Sequence, residues 1–453
     1  MAVARSFFMF RRALVTSLLV TSSGLASFAG LTAKMGFAED WPQYLGPSRN
    51  GISPESGLLS EWPESGPALD WTFSDAGIGF SSTTISSGFL FTCGARGDQE
   101  FLICVDLNSG KELWSSPIGE KFDFEGNQWG AGPRSTPSVA DGKVVALGGE
   151  GQLVCVDVKS GKQLWKQHMM KDLGGEVNPI GGGPGTKPGE AKLGWGYSWS
   201  PLIDGDKVIG NPGGPNGAAI AWELATGKVI WRSTDFIDQA SYASPVIAEI
   251  EGVKQYVFLH NDGLTSIAAD NGRKLWYWEK KYADVVIPTP IVLGNQVYVS
   301  AGSSPSTCDL VTINKDGDGF APQSEYKGKV QRVMKNTVSG SVILDGKAYG
   351  YSDKLGWVCQ DVKTGNQVWA SRQALKAGSV ISADGKLFCY DEENREVALA
   401  EVNPKEFVIK SKFTLPVETK FPSPSGKNWT PLTVSNGKLY VRDQEHIFRF
   451  TIK

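Results

Sequence analysis

A short unit of two apolar runs joined by a polar turn repeats along the chain. An apolar run such as residues 101–105 leads into a nonapeptide that begins with an acidic or small residue and ends on tryptophan. Such nonapeptides occupy residues 106–114, 157–165, 223–231, 268–276 and 361–369. The apolar runs are typical of short strands buried on both faces. Each nonapeptide therefore predicts a hairpin between two strands.

The residue types within the repeat explain this hairpin. The acidic residue that usually comes first can accept hydrogen bonds from turn amides, and the glycine supplies the positive φ that reverses the chain. The final tryptophan is large enough to fill space against a neighbouring sheet. Repeats of this period indicate a radial array, in which each nonapeptide joins the last two strands of a four-stranded blade.

The spacing of the tryptophans predicts the number of blades. The interval from Trp276 to Trp369 is about twice the usual one, so a degenerate blade is expected there. Two further units follow Trp369, and the last lacks a fourth strand, which residues 69–73 can supply. The chain is therefore predicted to be all-β: an eight-bladed β-propeller of four-stranded antiparallel blades over residues 69–453. An N-terminal strand closes the ring by joining the C-terminal blade.

The N-terminal residues have the pattern of an export signal. Three arginines precede a charge-free run from Ala13 to Ala33, and small residues offer a cleavage site at Ala38. We expect residues 1–38 to be a cleaved signal peptide, so the mature chain is expected in the periplasm or outside a bacterial cell. Residues 39–68 form a proline- and glycine-rich lead-in that is expected to lie over one face of the propeller.

The charge of the chain restricts its partners. Removing the four basic residues of the signal leaves 41 basic against 48 acidic residues, a net charge of −7. A mildly acidic protein is a poor ligand for nucleic acid or anionic lipid. No membrane span is expected after signal removal, and the mature chain is expected to be a monomer.

The repeat resembles a known family. Its Thr/Ser-Gly-x-x-x-Trp core is similar to the pyrroloquinoline quinone (PQQ)-like propeller repeat, and the Trp41-Pro-Gln lead-in resembles the start of exported bacterial proteins of this kind. The resemblance covers nearly everything after the signal. It implies two functional classes, namely quinoprotein alcohol dehydrogenases, which bind PQQ and calcium, and non-enzymatic proteins similar to the lipoprotein scaffold of outer-membrane β-barrel assembly.

The two classes differ in residues that can be sought in this chain. The dehydrogenases carry a vicinal Cys-Cys that packs on the quinone, and no Cys-Cys occurs here. Their calcium ligands and catalytic aspartate match no local pattern, while the lipidated cysteine of the scaffold class is also missing. We therefore expect a non-enzymatic binding or scaffolding module for protein, polysaccharide or other polymer partners. The alternatives are a PQQ-dependent alcohol or sugar dehydrogenase, with PQQ and calcium as cofactors, and a carbohydrate-binding propeller.

Aromatic residues concentrate where the innermost strands are expected to begin. Together with one arginine they are predicted to surround the mouth of the axial channel, at Trp129, Arg134, Trp195, Tyr197, Trp199, Tyr242 and Trp429. Such a ring could receive a flat anionic ligand, a quinone included, or a peptide. The alternative is that these side chains pack the blade openings against one another.

One acidic loop has the spacing of a calcium site. Asn314, Asp316, Asp318 and Glu325 fit the oxygen ligands of a twelve-residue calcium loop, although no helices flank the segment. The alternative is an ordinary hairpin turn, which Asp and Gly also favour.

The cysteines and histidines indicate no redox or metal chemistry. Cys104, Cys155 and Cys359 occupy the same strand position in three blades and are expected to be small buried hydrophobic residues, while Cys93 and Cys104 could form a disulfide. The three histidines lack metal-ligand spacing and are expected at the surface or in loops.

Overall fold

A computed structural model of the chain describes residues 40–178, 194–281, 285–301, 307–337 and 340–453. The predicted signal peptide lies outside the described residues. Within this part of the chain, no helix is long and apolar enough to cross a bilayer. A short 3₁₀ helix spans Gly328–Arg332, and the regular structure is otherwise a series of short strands arranged in eight sheets.

The first half of the propeller follows two lead strands. The lead strands are β1 (Ile52–Ser53) and β2 (Ala68–Phe73). Blade 1 consists of β3 (Thr84–Ser86), β4 (Phe89–Arg96), β5 (Gln99–Asp106) and β6 (Glu112–Glu120), and blade 2 of β7 (Ser138–Ala140), β8 (Lys143–Leu147), β9 (Gln152–Asp157) and β10 (Gln163–His168). Blade 3 consists of β11 (Leu202–Asp204), β12 (Lys207–Gly210), β13 (Ile220–Glu223) and β14 (Val229–Arg232), and blade 4 of β15 (Val246–Ile250), β16 (Val253–His260), β17 (Gly263–Ala268) and β18 (Lys274–Glu279).

The second half contains four more blades. They are blade 5, β19 (Ile291–Leu293), β20 (Gln296–Ala301), β21 (Thr307–Asp316) and β22 (Gly319–Ser324); blade 6, β23 (Ser341–Leu344), β24 (Lys347–Ser352), β25 (Gly356–Asp361) and β26 (Gln367–Ser371); blade 7, β27 (Val380–Ala383), β28 (Lys386–Asp391), β29 (Glu396–Glu401) and β30 (Ile409–Thr414); and blade 8, β31 (Thr433–Ser435), β32 (Lys438–Asp443) and β33 (His446–Thr451) with β2. Blade 5 is the degenerate unit that the tryptophan spacing predicted.

The ring closes as predicted. Strand β2 pairs antiparallel with β33, with Leu69 opposite Phe450 and Phe73 opposite Ile447. First strands of neighbouring blades contact one another, so they are the innermost strands and surround the channel axis. The eight-bladed, four-stranded architecture inferred from the repeat is confirmed.

In four of the five nonapeptides the tryptophan links its blade to the next, whereas Trp276 donates to Gln255 of its own blade. The indole N–H of Trp114 donates to the Val158 carbonyl of blade 2 at 3.1 Å, and the ring packs on Gly161 of that blade's nonapeptide. The Trp165 indole likewise donates to the Leu224 carbonyl at 2.9 Å. Within the turn, the Asp157 carboxylate accepts the predicted hydrogen bonds from backbone amides. The repeat therefore encodes both the hairpin and the contact between blades.

Substitution of one glycine tests this packing between blades. Replacing Gly161 (φ +67°) by alanine places a Cβ 2.6 Å from the Trp114 ring. Gly142 is a matched control, since its φ is +69° and nothing lies within 4 Å of a Cβ there. Gly142→Ala is expected to cost about 1 kcal/mol of unfolding free energy through backbone strain, and Gly161→Ala about 3 kcal/mol. Urea unfolding of both variants measures the difference, and equal costs would show that the glycine serves only the turn.

The lead-in closes one end of the channel. Trp41 pairs with Ile85 of blade 1 through two backbone hydrogen bonds of 2.9 Å, and β1 runs parallel to β27 of blade 7. Between these anchors, the buried Arg49 guanidinium donates to the carbonyls of Ser200 and Pro201 at 2.8 Å. Asp40 accepts a hydrogen bond from Ser86 and Ser53 pairs with Ala383, so the lead-in covers the end of the channel where these innermost strands finish.

The cysteines and histidines are buried. All six cysteines are unpaired, Cys93 and Cys104 included, so the disulfide alternative is not realised in the structure. The three histidines were expected at the surface or in loops, and this expectation is wrong, because His168, His260 and His446 are each less than a tenth exposed and lie at strand ends in β10, β16 and β33.

Candidate functional site

A cavity lies at the end of the channel opposite to the closed one. Its volume is about 150 Å³. The lining comes mainly from segments that precede the innermost strands and comprises Tyr44, Phe80, Trp129, Arg134, Trp195, Ser198, Tyr242, Ser244, Ile287, Thr337, Trp429 and Pro431. Because Tyr44 belongs to the lead-in that closes the opposite end, the cavity is a cup and not an open pore.

Four of the predicted aromatic residues form a continuous chain of ring contacts in this cup. Trp129 contacts Trp195 with ring centroids 5.6 Å apart and Trp429 at 5.9 Å. Trp195 in turn contacts Tyr242 at 5.6 Å. The Tyr242 hydroxyl donates to the Asn178 carbonyl and accepts the Trp195 amide, both at 3.1 Å, which fixes the end of the chain. The structure therefore brings these residues together as an apolar wall.

Arg134 supplies a cation beside this wall. Its guanidinium carbon lies 4.7 Å from the Phe122 ring centroid and 5.5 Å from that of Phe80, within cation–π range. It also donates to the carbonyls of Gly130 and Gly132 at 2.6 and 2.8 Å. Burial lowers the pKa of Arg134 to about 10, so the group remains charged at neutral pH. The cup can therefore hold an apolar or aromatic group close to one positive charge.

A buried carboxyl group lies behind the arginine. Glu100 is fully buried and accepts the amides of Gly149 at 2.9 Å and Phe122 at 3.1 Å. Burial raises the pKa of Glu100 to about 7. The Glu100 oxygens accept hydrogen bonds from backbone amides, and the side chain does not line the cup. Glu100 therefore stabilises the segment that carries Phe122.

Two predicted mouth residues lie elsewhere. Tyr197 and Trp199 are 1% and 0% exposed and belong to the hydrophobic core between blades. The Tyr197 hydroxyl donates to the Pro212 carbonyl at 2.9 Å. Residues 194–200 do not form a strand, and their irregular backbone directs Trp195 and Ser198 to the cup while Tyr197 and Trp199 enter the core.

The predicted calcium ligands do not converge. The segment is the hairpin of β21 and β22, in which Asp316 pairs with Gly319 around a two-residue turn. The Glu325 amide donates to Leu310 at the other end of the hairpin, roughly 20 Å from Asp316 at the usual rise per residue. Asn314 and Asp318 are exposed near the turn. Within the described residues, no group of three or more His, Cys, Asp or Glu side chains is arranged to hold a metal ion.

Sequence reasoning missed part of the lining. Phe80 and Pro431 precede innermost strands, as the predicted residues do, and this shared position was an available signal. Thr337 precedes the innermost strand β23 and shared this signal, whereas Tyr44 had none, because the lead-in follows no repeat.

An Asp–His–hydroxyl arrangement occurs in blade 4, outside the cup. The Nδ1 atom of His260 lies 2.5 Å from the Asp238 carboxylate, and its Nε2 atom lies 2.9 Å from the Thr265 hydroxyl. Thr265 is 1% exposed, so no substrate can reach its oxygen. The arrangement is a buried polar network that stabilises the blade.

Comparisons with known proteins agree on the fold. A family model described as "Outer membrane protein assembly factor BamB" matches residues 98–314 and 185–411, which together exceed half of the chain. The chain is 22% identical over 311 residues to outer membrane protein assembly factor BamB of Shewanella oneidensis, an alignment covering 66% of this chain and 70% of that protein.

Two solved structures are similar in fold. The crystal structure of BamB from Moraxella catarrhalis has a TM-score of 0.55 at 14% identity and covers 85% of this chain and 100% of its own. Quinohemoprotein alcohol dehydrogenase from Comamonas testosteroni has a TM-score of 0.56 at 10% identity, covering 91% of this chain and 80% of its own. At these identities the likeness concerns the propeller architecture and not its chemistry.

Proposed function

The chain belongs to the PQQ-like propeller family whose model is described as outer membrane protein assembly factor BamB, and we propose that it is an exported, non-enzymatic module that binds or scaffolds a protein partner in the bacterial cell envelope. The aromatic cup is the observation that carries this proposal. Partly exposed tryptophans, here Trp129, Trp195 and Trp429, are the residue type that most often dominates binding energy at protein interfaces.

The closed channel restricts what the cup can accept. Arg49 and Tyr44 occupy the channel below the cup, so a polymer cannot be threaded through the propeller. A partner must instead present a loop, a chain end or a side chain from one side. This geometry suits a folded protein or a polypeptide segment.

A site-specific crosslinking experiment tests the proposal. We expect a photoreactive phenylalanine analogue at position 129 to give a discrete protein adduct in the cell envelope, and the same analogue at the exposed Lys363 in a blade 6 turn to give none. Trp429→Ala in the purified chain is expected to weaken binding of the captured partner about tenfold or more. Equal adducts from both positions, or none from position 129, would contradict a binding role for the cup.

The dehydrogenase alternative is supported by the likeness in fold and by Arg134 next to tryptophans. The residues of the cup do not fit a quinone and calcium, because its described lining contains no carboxylate to hold the ion or to act as a base. Calorimetry with PQQ and calcium, combined with dye-linked alcohol oxidation, tests this alternative. We expect neither heat nor turnover, and micromolar binding with turnover would replace the scaffold proposal.

A further inference from the structure

A second cavity adjoins the aromatic cup. Its volume is about 200 Å³, and it shares Trp129, Thr337 and Trp429 with the cup. Its remaining lining comes from blades 6 to 8 and the connections between them and comprises Asn336, Tyr351, Asp353, Ala377, Gly378, Ser379, Glu392, Lys427 and Asn428. Two tryptophans thus separate a cup with one arginine from a cavity with carboxylates.

One of the charged side chains that line this cavity is Asp353. Its side chain accepts a short hydrogen bond from the Thr337 hydroxyl, and it forms no salt bridge with any described residue. Burial raises the pKa of Asp353, although the hydrogen bond from Thr337 and the charges of Lys335, Lys427 and Lys354 oppose the shift. An anion that lacks a paired cation is therefore held at the cavity wall.

A second carboxyl group, Glu392, lines the cavity beside a lysine. The Lys427 ammonium lies 3.1 Å from Glu392 and 3.2 Å from Glu393, so one cation faces two carboxylates. Glu392 is 7% exposed, and burial raises its pKa to about 7. Among the side chains that line the cavity, the two carboxyl groups of Asp353 and Glu392 therefore outnumber the one ammonium group, that of Lys427.

An unsatisfied hydroxyl indicates that the cavity is built for a polar group. Ser379 is 4% exposed and lines the cavity, and its hydroxyl oxygen has no hydrogen-bond partner among the described residues. Buried polar atoms are nearly always partnered, so a missing partner points to a ligand group or water at this position. Hydroxyl and carboxylate oxygens both accept hydrogen bonds from N–H donors.

We propose that this cavity receives the ammonium or guanidinium group of a basic side chain on the protein partner, while a neighbouring apolar side chain of that partner fills the aromatic cup. This inference rests on the proposed function and specifies its partner. The Asp353 carboxylate and the Ser379 hydroxyl accept the N–H groups, and Trp129 and Trp429 offer ring faces to the cation.

Three capped dipeptides test the preference for a cation. Calorimetry or NMR titration of the mature chain with acetyl-Phe-Lys-amide, acetyl-Phe-Gln-amide and acetyl-Phe-Glu-amide is expected to give binding of the lysine peptide about tenfold tighter than the glutamine peptide, with the glutamate peptide weakest. Asp353→Asn, which keeps an acceptor for Thr337, is expected to reduce the lysine preference to about threefold or less. Asp270→Asn, at an exposed turn of blade 4, is the control and is expected to leave the preference for the lysine peptide unchanged.

The outcomes separate this inference from the proposed function. Equal affinities for the three peptides, or no peptide binding up to about 10 mM while crosslinking at position 129 succeeds, would overturn the cation site and retain the scaffold. Tighter binding of a neutral oligosaccharide such as maltotriose would also overturn it. Failure of both peptide binding and crosslinking would remove both proposals.

Discussion

Replacing Arg442 by methionine is expected to lower the free energy of unfolding by at least about 4 kcal/mol. Arg442 lies on β32 of blade 8, is 2% exposed, and forms no salt bridge with a described residue. Its guanidinium donates to oxygens of blade 1 and of the segment before it, namely the carbonyls of Ala76, Gly77, Ser81 and Cys93 and the Thr92 hydroxyl. Methionine fills similar space but leaves these buried acceptors unsatisfied at the junction that closes the ring.

Two further variants distinguish the role of Arg442 in ring closure from a general effect of removing an arginine. Arg96→Met removes a partly exposed ion pair with Glu112 and is expected to cost about 1 kcal/mol or less. Arg442→Lys keeps the charge but lacks the guanidinium fork, so its stability should lie between those of the wild type and Arg442→Met. Urea unfolding followed by tryptophan fluorescence measures all three variants. A loss below about 1 kcal/mol in Arg442→Met would show that closure depends on the β2–β33 pairing alone.

Replacing Arg49 by methionine is expected to cost about 3 kcal/mol and to release the lead-in from the channel. Arg49 is 3% exposed, and burial lowers its pKa to about 9, so it remains a buried cation at neutral pH. Its donors go to Ser200, Pro201 and the Gln43 side chain. Without them, the Ser200 carbonyl loses the Arg49 donor, the Pro201 carbonyl keeps only the Ser138 hydroxyl, and the lead-in loses its central anchor.

Hydrogen exchange distinguishes release of the lead-in from general destabilisation. In Arg49→Met the amides of Gly51 and Ser382, which bond to Leu45 and Gly51, are expected to exchange faster than those of the outer blade strands. Arg372→Met, at an exposed position of blade 6, should change the free energy of unfolding by no more than about 0.5 kcal/mol. Its amide exchange should match that of the wild type. Uniform acceleration of exchange throughout the propeller would contradict a local role for Arg49.

The candidate site was predictable only in part. The position of Trp129, Trp195 and Trp429 before innermost strands placed them near the channel, and the structure groups them there. The same reasoning placed Tyr197 and Trp199 at the mouth, where the chain instead directs them into the core. Sequence position identifies the segment, but the local backbone path decides which side chains face a cavity.

The acidic hairpin shows the limit of motif spacing. Asn314, Asp316, Asp318 and Glu325 have ligand spacing along the chain, yet a strand extends that spacing over roughly 20 Å. A calcium loop needs a compact turn flanked by elements that hold it closed. The hairpin has neither feature, so its acidic residues remain apart.

The sequence by itself determined the architecture, because the information for it is local and periodic. Each nonapeptide specifies its own turn through a glycine, preceded in four of the five copies by a leading acidic residue. Three copies also specify the next contact through a tryptophan that packs on the following glycine. The tertiary structure alone decided the closed channel, the Arg442 contacts at the ring junction and the two adjoining cavities. These features depend on residues far apart in the chain, such as Arg442 and Thr92 at a separation of 350 positions, where no repeat or spacing predicts the contact.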